Sequence, residues 1–218
     1  MKIILIPLLF TVMLCHLFGQ SNEKEDQTIK LDGKITISEE SDSWLKITVP
    51  FLIVKHPDLK KMDGKRPESI EEMFNPEFLD NLKISIWVSF MNEFNRKELG
   101  GDRKDVRFFN YYHAEIECLA LEIDRRTKKA EFLFPSIIAK MNEMGSYPKI
   151  MGYVTEFSRN GENFPVSDQI KFLNYDKKEY VDRFRDMALN DASEVNTVLI
   201  PGYFINDSYL NNLGPVVR

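Results

Sequence analysis

The chain has 218 residues, 43% of them hydrophobic, and carries 29 Lys or Arg against 34 Asp or Glu, a formal net charge of −5. That length suits one domain or one domain with an extension, and that apolar content excludes a wholly disordered polymer. Charges of both signs are interspersed, with no basic stripe of the kind a nucleic-acid-binding face needs.

At the N-terminus, Lys2 precedes an apolar run over residues 3–18, which ends at Gly19 and gives way to Gln20-Ser21-Asn22-Glu23-Lys24-Glu25-Asp26-Gln27. A basic start, an apolar stretch and a small residue at its end are the parts of a secretory signal peptide, so residues 1–19 are expected to be cleaved and the protein exported. The run is shorter than the roughly 20 residues of a comfortable bilayer span. An uncleaved anchor is the alternative, and Pro7 argues against a straight one. Cys15 follows Leu14 rather than a small residue, which excludes a lipoprotein acylation site. After cleavage only Cys118 remains, so no intrachain disulfide can form. Cys118 lies in an alternating pattern and reads as a buried, inert thiol, with an intermolecular bridge as the alternative.

Residues 20–33 read as a polar tether that joins a sheet from Ile29 at the earliest. Ile35 and Ile37 then alternate with polar neighbours, and a strand follows from Trp44 to Val54 with Leu45, Ile47 and Val49 on one side. Pro50 has no N–H to give a ladder, and marks an edge, a bulge or a change of sheet. Residues 55–81 form a long connection rich in Pro and charge, with a short helix expected over residues 69–74. The clearest strand is residues 82–90: Ile84, Ile86, Val88 and Phe90 face inward, and Lys83, Ser85, Trp87 and Ser89 outward. Residues 95–105 read as a polar loop.

In residues 108–124 the alternation changes phase at Leu119, which implies a bulge or a passage between sheets. Residues 125–128 read as a hairpin turn, with Ala130, Phe132 and Phe134 on the return strand. A short helix opens at Pro135-Ser136 with Ile137, Ile138, Met141 and Met144 on one face and Gly145 past its end. Residues 149–159 are strand, Asn160-Gly161 is a hairpin turn, and residues 166–173 return. Asp176 with Glu179 reads as a capping box. It opens a helix over residues 177–190 with Tyr180, Val181, Phe184, Met187 and Ala188 on one face. Short strands follow at residues 198–200 and 203–205.

Short antiparallel strands punctuated by turns predict a mainly β chain, an immunoglobulin-like antiparallel β-sandwich over residues 34–175. It carries one short crossover helix, and residues 176–218 add an amphipathic helix and a short strand extension packed on the sandwich.

Catalytic motifs are missing: there is no Gly-x-Ser-x-Gly, His-Glu-x-x-His, phosphate loop or Cys-x-x-Cys. His56 stands in a loop. His113 and Cys118 are five apart on a strand and point to opposite faces. Glu115 and Glu117 share a face, as a glycosidase pair would, but alternating Glu on a strand ordinarily marks its solvent side. Asp102-Arg103-Lys104-Asp105 and residues 160–163 hold oxygen ligands without the spacing of a calcium loop. Asn206-Asp207-Ser208 is a glycosylation sequon, relevant only in a eukaryote, whereas the chain reads as bacterial. No catalytic residue, metal ligand or cofactor is assigned.

Aromatics give the better lead. Trp87, Phe109 and Tyr111 are the candidate binding residues, on outward faces of adjacent strands with His113 beside them. Such a strip serves the C-terminal helix, a protein partner or a sugar, the first being favoured because that helix needs a surface for its own apolar stripe.

The order Asn75-Pro76-Glu77-Phe78-Leu79-Asp80-Asn81-Leu82-Lys83, then residues 111–121, then residues 129–135 before a short helix, then Tyr153-Val154-Thr155-Glu156-Phe157-Ser158 with its Asn160-Gly161 turn, resembles small exported proteins of verrucomicrobial bacteria. In that family an immunoglobulin-like domain is associated with a type IV pilus-like gene cluster. The resemblance covers most of the mature chain in pattern and supplies no catalytic residue. It implies a non-enzymatic role in assembly or binding, at the periplasm or cell surface, with a protein partner in the envelope. No nucleic acid or cofactor is implied, and membrane contact only through an uncleaved signal segment. The chain lacks the long apolar N-terminal helix of a pilin, which points to an accessory. The alternatives are a carbohydrate-binding module using Trp87 and a glycosidase-like enzyme using Glu115 and Glu117.

Overall fold

Eleven strands form two antiparallel sheets in a computed structural model that describes residues 27–62, 75–100, 102, 105–145, 148–172, 177–194, 198–202 and 216–217. The leader, the helix expected at residues 69–74, Asp176, the strand at residues 203–205 and the sequon lie outside the described residues. The first sheet contains β1 (Ile29–Leu31), β2 (Thr36–Ser41), β3 (Trp44–Ile53), β6 (Lys128–Pro135) and β10 (Ile200–Pro201). The second contains β4 (Phe78–Met91), β5 (Phe109–Glu122), β7 (Ile150–Arg159), β8 (Glu162–Asn163), β9 (Ile170–Phe172) and β11 (Val216–Val217). Their orders are β1-β3-β6-β10, with β2 also on β3, and β11-β5-β4-β7-β8, with β9 also on β7. Neither sheet closes on itself.

Period-two patterning decides what lies between them. On β3, Leu45, Ile47, Val49, Phe51 and Ile53 are all buried, so the alternation runs through Pro50 without a break. The expected interruption lies in the neighbour instead. β1 pairs with residues 51–53 and β2 with residues 44–48, leaving Pro50 opposite the gap. Its carbonyl accepts from the Asp32 N–H at 3.0 Å on that side. The edge facing the gap needs no ladder donor from Pro50, so proline costs the sheet nothing there.

The inner faces meet through aromatic pairs. Phe51 packs on Phe157 at 5.4 Å, and Phe134 on Phe90 and Tyr112 at 5.0 and 4.8 Å between ring centroids. The phase change at Leu119 is matched by its partner strand. Leu82, Ile84, Ile86, Val88 and Phe90 face the core from β4, yet so does Leu79; on β5 Cys118 faces it, and so does Leu121. Asn81 adopts φ 51° opposite Leu119, and the register on either side is unchanged. Both strands twist together, and β5 stays in one sheet.

Residues 125–128 do not close a hairpin. β5 pairs with β4 and β6 with β3, so the chain crosses there between sheets. Turn signals are the same for both geometries; what separates them is that Leu121, Ala130, Phe132 and Phe134 all reach one core. The sandwich likewise begins earlier than Lys34, because Ile29 pairs with Ile53 and is fully buried. Asn160-Gly161, at φ 52° and 82°, makes the expected tight hairpin between β7 and β8. The return after it is split into β8 and β9, with Pro165 between them.

Among the described residues there are three α-helices: α1 (Glu93–Leu99), α2 (Ser136–Met141) and α3 (Lys178–Asp191). The first stands where a polar loop was expected. Asn92 caps it by accepting from the Asn95 N–H at 3.0 Å, and Gly100 ends it at φ 66°. Helix α3 begins after Lys177, within a residue of the expected start, and the Lys177 side chain makes no capping hydrogen bond. Among the described residues no helix is long and apolar enough to cross a membrane.

Candidate binding surface

Trp87, Phe109 and Tyr111 lie together on the outer face of the second sheet, as the alternation requires, and all three are buried. Helix α3 covers them. Phe184 and Ala188 are its fully buried residues, Met187 and Leu189 pack partly, and Tyr180 is exposed rather than facing in. Phe184 stacks on Phe172 at 5.0 Å and 6°, and its ring rests on Gly152. A Cβ built at Gly152 would stand 2.5 Å from the Phe184 ring and 2.8 Å from the Lys171 carbonyl oxygen. Trp87 donates its indole N–H to the Ala192 carbonyl at 2.9 Å, and Tyr111 its hydroxyl proton to the Val106 carbonyl at 3.0 Å. Burial holds the Tyr111 phenol well above its ordinary value. These residues form a second core beneath α3, the helix the strip was first expected to serve, so they line an internal seat and not an exposed aromatic strip.

His113 stacks on Trp87, with ring centroids 4.1 Å apart, and its Nε2 is 3.5 Å from Glu115 Oε1. Burial pulls its pKa down, against the pull of Glu115. Glu115 is engaged on both oxygens: Lys83 at 2.8 Å on Oε2, and the Ser85 hydroxyl, which donates to Oε1 at 3.1 Å. Glu117 is exposed on the same strand. Cys118 faces the inner core, away from His113, with its thiol pushed up to about 12 by burial. Among the described residues no three His, Cys, Asp or Glu side chains group as a metal ion would need.

The two ends of the sandwich differ. At one, Arg159 bridges Asp58 and Asp80 at 2.6 Å each, and buried His56 accepts the Asp58 N–H on Nδ1 at 3.1 Å. A cavity of about 290 Å³ opens there beside Pro57, Asp58 and Arg159.

At the other end, β4 and β6 run into α1 and α2. The helices are tied to each other by Lys97–Glu143 at 2.7 Å and by Asn92, whose Nδ2 donates to Asn142 at 3.2 Å. Helix α1 has no buried residue. Phe94 is 52% exposed, Leu99 74%, Ile137 58% and Met141 72%. In α2 the expected apolar face is divided: Ala139 is buried, Ile138 and Met144 lean on the core, and Ile137 and Met141 point to solvent. Below the helices a cavity of about 180 Å³ is lined by Phe90, Met91, Glu93, Met144, Pro148, Lys149 and Met151. This surface was missed in the sequence because residues 95–105 read as loop. Asn92 followed by Glu93, with Gly100-Gly101 downstream, was the signal that marks it.

Compared with known proteins, the chain matches no protein-family model, no curated protein and no solved structure.

Proposed function

We propose that the protein is an exported, non-enzymatic binding or scaffold module of the cell envelope, and that another envelope protein docks on the end built by α1 and α2. The observation that carries this reading is the exposure of Phe94, Leu99, Ile137 and Met141 on two linked helices over a methionine-lined cavity. Large apolar groups gathered at one place mark interaction surfaces, and methionine adapts its shape to what it meets. The two packed antiparallel sheets support the finer reading of the fold as immunoglobulin-like. The resemblance to exported pilus-cluster proteins extends the proposal to an accessory of a pilus-like assembly, and residues 1–19 supply the export address.

The test is site-specific photocrosslinking in living cells. A photoreactive residue at Phe94 or Leu99 is expected to trap a defined envelope protein, while one at Arg126, on the opposite end, is not. Equal yields from both ends would overturn the reading. The intact mass of the exported protein is expected to lack residues 1–19; a soluble form retaining them would overturn the signal peptide.

A further inference from the structure

We propose that a second cavity, beside the methionine cavity, takes an acidic side chain of the partner, while a neighbouring large apolar side chain of the same peptide segment enters the methionine cavity. This rests on the reading of the helical end as a docking surface and names the chemistry of what docks.

The second cavity, of about 200 Å³, is lined by Lys34, Ile35, Lys149, Ile150, Met151, Gly152, Tyr153 and Lys171. It shares Lys149 and Met151 with the methionine cavity, so the two are adjacent. Their lysines come from three separate places: the link between β1 and β2, the lead into β7, and β9. All three are exposed, and none pairs with an acid among the described residues. In a chain with more acidic than basic residues, three unpaired cations around one hollow form a local positive field. A carboxylate placed there forms charge-assisted hydrogen bonds. Tyr153 adds a phenol that burial, then Asp168, holds above its ordinary value, so it stands as a neutral donor.

Size chooses the class of ligand. A cavity of about 150 Å³ holds one benzene-sized group, whereas pockets for drug-sized molecules run to roughly 300–1,000 Å³. Each cavity here matches one side chain, one apolar and one anionic. A peptide presents such a pair a few residues apart.

The probes are acetylated, amidated peptides carrying one Phe and one Asp at spacings of one to three residues, and the same peptides with Lys for Asp. Binding is read from the ¹³C-methyl signals of Met91, Met144 and Met151. At least one Phe–Asp peptide is expected to shift Met144 and Met151 saturably and to bind at least tenfold more tightly than its Phe–Lys counterpart. The triple variant Lys34→Ala, Lys149→Ala, Lys171→Ala is expected to lose that tenfold preference with an unchanged unfolding midpoint, and Lys149→Glu to reverse it toward Phe–Lys. Equal binding of both peptide types, or no shift with any, would overturn the proposal, while crosslinking at Phe94 judges the docking surface separately. Sedimentation with phosphatidylglycerol vesicles that is lost in the triple variant, with no peptide preference, would assign the lysines to a lipid headgroup and overturn the peptide.

Discussion

Helix α3 is amphipathic and lies across the outer face of the second sheet, whereas the seven-residue α1 stands at the sheet's end with no apolar stripe. α3 presses Phe184 and Ala188 onto Phe172, Tyr111 and Gly152 until no water reaches them, whereas α1 buries nothing. The difference lies in what each meets. The outer face under α3 offers a ring of aromatics with a glycine-sized gap. The end of the sandwich offers α1 an ion pair from Lys97 to Glu143 and amide contacts at Asn92, while Phe94 and Leu99 stay in solvent. One helix has completed its packing within the chain; the other leaves Phe94 and Leu99 in solvent.

The largest test of this contrast is Phe184→Ala. Deleting a fully buried ring costs about 3–5 kcal/mol, and urea unfolding should show a loss in that range. Gly152→Ala comes next. The new methyl meets the Phe184 ring and the Lys171 carbonyl together, an overpacking cost of about 1–3 kcal/mol. Combined with Phe184→Leu, the penalty should be less than additive, because the two residues share one gap. Trp87→Phe removes the hydrogen bond to Ala192 and shrinks the buried indole to a single ring, so about 1–3 kcal/mol should go, read from the chemical unfolding midpoint.

The closed face also predicts a pH dependence. His113 lies under the end of α3 with its folded pKa below the ordinary 6.5. Its neutral form is the one the fold prefers. The corresponding stability is complete above pH 6.5 and is lost as pH falls through the folded value. Thermal unfolding of His113→Phe should be flatter than the parent across that window; parallel curves would refute the assignment. The smallest effect is expected at the open end. Phe94→Ser with Leu99→Ser should move stability by no more than about 0.5 kcal/mol, yet abolish the crosslink formed from a photoreactive residue placed at Ile137, on the same end. A large loss of stability would mean α1 is as closed as α3.

Much of the sandwich was legible because alternation is a local signal. Residues 82–90, the phase change at Leu119 and the Asn160-Gly161 turn follow from neighbouring side chains alone. What connects to what was not legible. Residues 125–128 carry the same turn chemistry whether β6 returns beside β5 or crosses to β3, and only long-range burial separates the two. The stripe of α3 pointed to its own seat through Phe184 and Ala188, while Tyr180, on the same expected face, stays exposed. α1 was hidden because it has no apolar stripe: Asn95, Arg96, Lys97 and Glu98 read as a polar loop, although the last three are good helix formers and the caps at Asn92 and Gly100 close the helix. The lysine cavity gathers residues far apart in the chain, which no spacing rule joins.

Cys118 has a use that its inertness creates. It is fully enclosed on β5, hydrogen-bonded in register between Leu82 and Val217, and its thiol is held almost wholly protonated at neutral pH. An alkylating reagent can reach it only when the two sheets separate or the second sheet unfolds. The rate at which Cys118 is modified, followed peptide by peptide, therefore times the opening of the sandwich itself. Loosening α3 alone leaves that rate unchanged, which makes the thiol a reporter that tells detachment of a helix from unfolding of the sandwich beneath it.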